Sequence, residues 1–340
     1  MKGGIIMLYY KRFSLCLFVL LLVFSFIGYA PVEALEPVNL TFACSSPGRA
    51  GYARAAILTE IIKEGLPSGS NVRLLTGIEG MGDFVAIEAD KAQLAVVFSL
   101  HANWCFLGTH YWEGKPLKKI TALLGDFGPY PYALIVQEDL DAKTFDEIIE
   151  KKMPISIVVP GVDNLTDNLF NMILDEYNVT REDIKAWGGK IIVVTMAEGI
   201  SIMEDGDADM IVTVIPPGHP GTTELTQSRS MRFLPLSESV LDEIIRNDDG
   251  IEKTVVPIGT FRGITEPYPT LLTSVILVGS SNIDEETAYL IVKALIENMD
   301  ELRTLDPLVK DFDVEKAVLN TGVLLHPGAK RYFQEIGVLK

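Results

Sequence analysis

The stretch LTFACSSPGRAGYARAAILTEII, residues 40–62, decides how the rest of the chain is interpreted. Residues 40–44 are predicted to form a strand, a loop of small residues follows, and apolar residues at helical spacing predict an amphipathic helix. The first N–H groups of such a helix have no intrahelical partner and lie at the positive end of its dipole, so a carboxylate could dock there. An ordinary strand-to-helix turn explains the same residues, and only a second such turn facing the first would distinguish the two.

The chain begins with the pattern of a secretory leader. Lys2, Lys11 and Arg12 precede an apolar run over residues 13–27, which ends in small residues. A charged start, an apolar centre and small residues beyond it are typical of a signal peptide, so residues 1–34 are predicted to be a leader cleaved after Ala34. An uncleaved N-terminal membrane anchor is the alternative. Either way, the protein is predicted to be exported, to the periplasm or another extracytoplasmic place.

The composition narrows the possible partners. The chain has 46 acidic and 29 basic residues and a formal net charge of −17, so nucleic acid is not expected as a ligand. Beyond the leader, Cys44 and Cys105 are the remaining cysteines; they could pair in an oxidising compartment, but free, buried thiols are the default expectation. The four histidines do not share the spacing of a metal site with each other or with cysteines or carboxylates, so neither a metal nor another cofactor is expected.

A second unit of the same kind follows the first helix. Residues 71–75 are predicted to form a strand, a glycine-rich turn contains Thr76, Gly77 and Glu79, and a helix covers residues 83–89. Residues 93–98 are a near-continuous apolar run typical of a buried parallel strand, with Ser99 at its end. Because ligands of open α/β sheets bind beyond the carboxyl ends of strands, these loops are predicted to share one rim with Ser45.

Alternating strands and helices continue in the second half of the chain. Strands are predicted over residues 133–137, 155–159, 191–195, 210–215 and 271–278, and helices over 145–152, 167–177, 197–204, 285–302 and 314–319. Asn164 and Thr166 lie in the loop before one helix, where three aspartates make the site less favourable for an anion. Pro217 lies in a stiff loop suited to a pocket wall. The strands at 133–137 and 271–278 are predicted to pair and cross between two lobes.

Four passages together give the chain a family resemblance. Residues 40–62 and 74–99 are similar to the opening strand–turn–helix units of the TAXI branch of TRAP-transporter solute receptors. The two more specific passages are VPIGTFRG at residues 256–263 and LLHPGAKRYF at residues 324–333. The chain departs from the pattern of that branch at Ser45, Ser46, Arg49, Ala50, Gly51, Leu100 and in the Asn164–Thr166 turn. Since these positions lie where a ligand would be touched, the substrate of the relatives does not transfer directly.

The resemblance implies an α/β protein with a two-lobed type II periplasmic-binding fold, a ligand cleft between the lobes and a hinge of two crossing strands. The first lobe is expected to comprise residues 36–135 with 270–340, and the second residues 136–269. The implied function is capture of a small carboxylate or amino acid, similar to glutamate or glutamine, and its delivery to a TRAP membrane permease.

The candidate ligand-binding residues lie in the loops of both predicted lobes. They are Ser45, Ser46, Arg49, Tyr52, Thr76, Gly77, Glu79, Ser99, Asn164, Thr166 and Pro217. Arg49 is suited to a bidentate pair with a carboxylate, but a solvated surface arginine fits equally well. Asn164 and Thr166 fit helix caps better than ligands, and Tyr52 and Glu79 each have a structural explanation of equal weight.

An exported enzyme that acts on a small acidic metabolite is the competing class. Such an enzyme needs an activated nucleophile or a paired acid and base. The sequence has no Gly-x-Ser-x-Gly elbow, no phosphate loop and no metal signature. No spacing supports a triad of Ser45, Asp163 and His219. A binding receptor that is not an enzyme is therefore favoured, with no catalytic residues.

Overall fold

The computed structural model describes residues 35–78 and 80–340 of the chain. The predicted leader and the candidate residue Glu79 therefore lie outside the described residues. Within the described ranges, no helix combines the length and the apolar character that crossing a bilayer requires. The elements that follow all belong to the compact unit Val38–Lys340.

The first lobe is built on a five-stranded arrangement. It contains β1 (Asn39–Ala43), β2 (Asn71–Leu75), β3 (Leu94–Phe98), β4 (Ile120–Leu124) and part of β11 (Tyr268–Ser280), in the order β2-β1-β3-β11-β4. The pairs of β1 with β2 and β3 are parallel, whereas β11 runs antiparallel to β3 and β4. Helices α1 (Ala50–Gly65), α2 (Met81–Glu88) and α3 (Ser99–Leu107) each follow one parallel strand.

The second lobe repeats this strand order. It contains β5 (Pro129–Gln137), β6 (Ser156–Pro160), β7 (Lys190–Val194), β8 (Met210–Val214) and β9 (Met231–Phe233), in the order β7-β6-β8-β5-β9, with β10 (Ile251–Val256) beside β11. Its helices are α4 (Phe145–Glu150), α5 (Leu165–Glu176), α6 (Arg181–Ala186), α7 (Met196–Asp205), α8 (Pro220–Ser228) and α9 (Glu238–Asn247). Each lobe has apolar clusters built around its own strands.

Strands β5 and β11 connect the two lobes. They pair through Leu272 with Pro131, Thr273 with Tyr130 and Ser274 with Pro129. Beyond this crossing, β5 joins β8 and β9, and β11 joins β3 and β4. The predicted fold class is confirmed, but the predicted pairing was misplaced. Residues 133–137 pair with β8 and β9, and the crossing uses residues 129–131.

The end of the chain differs from the prediction in two elements, because the helix predicted over residues 285–302 is divided into two at Asn298 and the helix predicted over 314–319 does not form. The final helices are α10 (Glu285–Glu297), α11 (Met299–Leu305) and α12 (Pro327–Glu335), so the helix predicted over 314–319 is wrong. That segment forms successive tight turns, in which Lys316, Ala317 and Leu319 donate their N–H groups three residues back. The carbonyl of Ala317 accepts from Gly125 N of the first lobe at 2.7 Å. This tertiary bond uses a group that a continuing helix would need for itself.

Candidate functional site

The start of α1 has an open arrangement of backbone donors. Its N-cap residue, Arg49, makes no side-chain cap hydrogen bond, and the first turn contains no acidic residue. Ser45 is only 6 % exposed, and among the described residues its Oγ has no hydrogen-bond partner. A Cβ on Gly51 would lie 2.8 Å from this Oγ, so glycine is required for the hydroxyl to lie against the first helical turn. A buried hydroxyl beside a helix start is suited to holding an anionic or polar group.

A cavity of about 370 Å³ lies directly beside this helix start. It lies at the carboxyl end of β3, close to the crossing of β5 and β11, and its described walls are mostly apolar. The lining comprises Ala50, Gly51, Ala53, Arg54, Ile57, Gly80, Asp83, Phe84, Val96, Val97, Phe98, His101, Tyr130, Val275, Leu305, Asp306, Pro307 and Leu308. The volume and the position both fit a small-molecule site, since such sites usually measure ~300–1,000 Å³ and lie beyond strand ends.

Two of the charged residues in the cavity wall form a closed ion pair. The Arg54 guanidinium donates to both carboxylate oxygens of Asp306, at 2.6 and 3.2 Å, and Arg54 Nη1 donates to the carbonyl of Phe127 at 3.3 Å. Asp306 also accepts from Leu308 N at 3.1 Å. Both side chains are buried. Because the guanidinium already has a bidentate carboxylate partner, it is poorly placed to bind a second carboxylate from a ligand.

His101 joins the cavity wall to the second lobe. Asn168 Nδ2 on α5 lies 3.1 Å from His101 Nε2, and the neutral ring accepts this N–H in the tautomer that is protonated at Nδ1. The ring is almost fully buried, and burial lowers the pKa of His101 to about 4. His101 is therefore an uncharged hydrogen-bonding group near neutral pH, with an edge-on contact to Phe98.

The start of α5 in the second lobe already has a carboxylate of the protein beside it. Asn164 is its N-cap, accepts from Asp167 N at 3.0 Å, and donates from Nδ2 to the carbonyl of Pro160 at 2.7 Å. The buried Asp167 carboxylate accepts from Asp163 N at 3.0 Å and is paired with Arg181. The interpretation of Asn164 as a cap is confirmed. A ligand anion at this helix start would have to compete with Asp167.

Comparison with known proteins identifies the family of the chain and solved structures with a similar fold. Residues 42–337 match the NMT1-like family. The chain belongs to the NMT1-like family. Among solved structures, it is similar to a TctC solute-binding protein from Polaromonas, with 12 % identity, a TM-score of 0.53 and coverage of 92 % of this chain and 100 % of that one.

Two further structures share the fold of this NMT1-like protein. MatC from Rhodopseudomonas palustris, solved with bound malate, has 12 % identity and a TM-score of 0.51 over 88 % of this chain and 98 % of its own. PhnD1 from Prochlorococcus marinus, solved with methylphosphonate, has 9 % identity and a TM-score of 0.51 over 89 % of this chain and 100 % of its own. At these identities the similarity establishes the two-lobed fold.

None of the described candidate residues predicted from sequence lines the cavity. Ala50 and Gly51 at the start of α1 and Gly80 just before α2 do line it. Tyr52 packs partly against the first-lobe core. Ser46, Arg49, Thr76, Gly77, Asn164 and Pro217 are exposed, and Thr166 is buried. A ligand role for these residues stays a prediction.

Ser99 lies at the start of α3, beside strand β11 in this family member. It is fully buried, and its Oγ donates to the carbonyl of Gly250 at 2.5 Å and accepts from Ser274 N at 3.2 Å. Thr273 Oγ1 lies 3.1 Å from the same hydroxyl. The hydroxyl therefore joins the start of α3 to β11 and to the residue before β10.

Sequence reasoning missed the polar residues that do line the cavity: Arg54, Asp83, His101, Tyr130 and Asp306. Arg54 had a usable signal, because it lies beside Ala55 and one turn before Leu58 on the apolar face of α1. A charged residue on a buried helical face needs a partner, which marks it for attention. Asp306 gave no such signal, since it lies in a loop 252 residues along the chain from Arg54.

The cysteines and histidines contribute no metal site in the described part of the chain. Cys44 and Cys105 are both buried and free, and burial raises the pKa of Cys105 to about 12. His219 is the N-cap of α8, and His326 Nε2 lies 3.0 Å from the carbonyl of Ile283. Both histidines therefore have structural partners in the fold.

Proposed function

We propose that the protein is an exported solute-binding receptor that closes its two lobes over a small molecule. The observation that carries this proposal is the cavity of about 370 Å³ beside the start of α1 and the crossing strands. A cavity next to a two-strand connection is positioned so that a hinge motion opens and closes it. His101 lines the cavity and is hydrogen-bonded to Asn168 of the second lobe, so a movement of that lobe would change this contact in the cavity wall.

The polar end of the ligand is proposed to be a carboxylate, of an acid or an amino acid, bound at the start of α1. The buried Ser45 hydroxyl and the N–H groups at the start of the first turn supply donors there, and no side-chain cap hydrogen bond to them comes from the N-cap residue. The malate and methylphosphonate bound by two proteins of the same fold are both small acids, which agrees with this class.

Delivery to a TRAP-type membrane permease is the proposed role in transport. Support comes from the sequence resemblance to the TAXI branch, above all in residues 256–263 and 324–333. The second passage contains the start of α12, where His326 is the N-cap, Nδ1 accepts from Gly328 N at 3.2 Å, and the ring is buried. The leader-like residues 1–34 support an extracytoplasmic location for this receptor.

A thermal-shift screen of small carboxylates and amino acids with the purified protein tests the proposal. A ligand that binds only the folded state must raise the melting temperature, by the equivalent of about 2.7 kcal/mol at 100 times Kd. We expect hits among monocarboxylates and amino acids, bound without chemical change. If no compound raises the melting temperature, or if a bound compound is turned over, the receptor assignment is wrong.

Two serine variants localise the binding. Ser45→Ala removes the buried hydroxyl, and we expect the Kd of a hit to rise about tenfold, since a hydrogen bond to a charged group contributes about 1.5–3 kcal/mol. Ser68→Ala is the control, because this exposed serine lies beyond the other end of α1. Equal affinities of the two variants would contradict the placement of the carboxylate.

A further inference from the structure

The walls of the cavity indicate the chemical character of the ligand beyond its carboxylate. The inference drawn from them rests on the proposed receptor function. Beyond the helix start, apolar side chains from four elements meet: Ile57 on α1, Phe84 on α2, Val96 and Phe98 on β3, and Val275 on β11. Phe84 and Val275 are buried. Leu305 and Leu308 add apolar surface from the segment that follows α11. This surface favours a group that loses little hydration on entry.

The charged groups of the described lining oppose a second anion. The lining contains one guanidinium, that of Arg54, and two carboxyl groups, those of Asp83 and Asp306. Arg54 already donates to both oxygens of Asp306 and to the carbonyl of Phe127. A second ligand carboxylate would therefore find the one guanidinium of the described lining already held by another carboxylate.

The neutral polar group of the wall does not change this balance. His101 is uncharged near neutral pH, and its Nε2 is used by Asn168 of the second lobe. The rest of the ring contacts Phe98 and Trp104. His101 therefore contributes shape and an interlobe bond, but no positive charge, to the cavity.

We propose that the cavity selects a carboxylate ligand whose other end is a branched aliphatic or aromatic group, and that it excludes dicarboxylates. The carboxylate lies at the start of α1, and the apolar group fills the space between Phe84, Phe98 and Val275. The specificity then comes from two sources. Apolar burial favours the correct ligand, and the uncompensated burial of a second charge disfavours the diacid.

Two isosteric ligand pairs test this specificity by calorimetry on the purified protein. Leucine is compared with aspartate, and 4-methylpentanoate with succinate, because in each pair an isopropyl group replaces one carboxylate. We expect the apolar member to bind at least tenfold more tightly. A diacid that binds as tightly as its isostere overturns the inference and leaves the receptor function standing. If neither pair nor any other carboxylate binds, the receptor function fails, and the inference fails with it.

A variant with an added positive charge tests the cause of the selectivity. Leu308→Lys places an ammonium group in the cavity wall, and we expect the affinity ratio of succinate to 4-methylpentanoate to rise at least fivefold. Leu319→Lys is the matched control, because Leu319 is 56 % exposed and is not a lining residue. The ratio should be unchanged in this control. The melting temperature of each free variant shows that it is folded, and a folded Leu308→Lys protein with the wild-type ratio overturns the charge argument.

Discussion

At the scale of single residues, the buried pair of Arg54 and Asp306 has the largest expected effect on stability. Replacing Asp306 by Asn leaves the Arg54 guanidinium buried without its carboxylate. Removing one partner of a buried ion pair typically destabilises a protein by about 3–5 kcal/mol. We therefore expect the free energy of unfolding of Asp306→Asn to fall by about this amount, measured by urea denaturation at pH 7.

The matched control for this prediction is Asp300→Asn. Asp300 pairs with Arg303 at 2.8 Å, but its side chain is 97 % exposed. Solvent screens such a pair, so no measurable change is expected. If the two variants have equal stability, the buried pair is not the stabilising feature that its geometry indicates.

His101 makes stability depend on pH in a specific direction. Its folded-state pKa of about 4 lies below the unfolded value of about 6.5, so the unfolded chain binds more protons between these values. The stabilisation is therefore present above about pH 6.5 and is lost as the pH falls toward 4. Between pH 7 and pH 5 the loss due to this residue should be about 2 kcal/mol.

The comparison of the wild type with His101→Gln isolates the pH dependence of stability that is due to His101. Gln retains an oxygen that can accept from Asn168 but does not titrate. The variant should be less stable at pH 7, and its free energy of unfolding should fall less between pH 7 and pH 5. Urea denaturation at both values measures this difference, and parallel pH profiles of the two proteins would contradict the buried neutral ring.

At the scale of elements, the start of α1 and the start of α5 differ in their electrostatics. The first turn of α1 has no acidic residue, whereas Asp167 lies in the first turn of α5. Ala50→Asp would give α1 a built-in anion. We expect the affinity for a ligand carboxylate to fall at least tenfold, measured by calorimetry. The free protein should be unchanged or more stable by about 0.3–1 kcal/mol, since an acid at a helix start is favourable.

A second added aspartate controls for the change in net charge. Val162 is 64 % exposed in the loop before α5, where carboxylates are already present. Val162→Asp should therefore leave carboxylate affinity within about twofold of the wild type. A similar loss in both variants would mean that long-range repulsion, rather than competition at α1, causes the effect.

The same elements show which parts of the fold are readable from sequence. The strand–loop–helix units around β1, β2, β6 and β7 were predicted because apolar periodicity and glycine-rich turns are local signals. The segment 314–319 was predicted wrongly, since its backbone conformation depends on the bond from Gly125 to Ala317, which joins distant parts of the chain. The crossing of β5 and β11 was predicted, but its register was not, because proline-rich residues 129–131 do not resemble a strand.

At the scale of the whole molecule, the loops that follow strands were predictable, but the walls of the cavity were not. The position of such loops can be inferred from chain order. The walls combine α1, α2, β3, β5, β11 and the segment after α11. The pairing of Arg54 with Asp306 needs the lobe to be assembled, so neither residue was identified in advance.

Trp104 should report the relative position of the lobes. It lies on α3, yet its side chain belongs to the apolar cluster of the second lobe, and its Nε1 donates to Asp248 Oδ1 at 2.6 Å. It also stacks on His110, with ring centroids 4.0 Å apart. A ligand that shifts the lobes must change these contacts, so its binding should change the tryptophan fluorescence.

The other two tryptophans provide the controls for this prediction. Trp112 packs within the first-lobe cluster and Trp187 against the second-lobe cluster, so hinge motion should leave both environments nearly unchanged. We expect Trp112→Phe and Trp187→Phe to keep the ligand-induced fluorescence change, and Trp104→Phe to lose most of it while calorimetry still detects binding. If Trp104→Phe binds ligand with the full wild-type fluorescence change, then the lobes do not move against each other at α3. The proposed closure would then have to be replaced by binding to a preformed cavity.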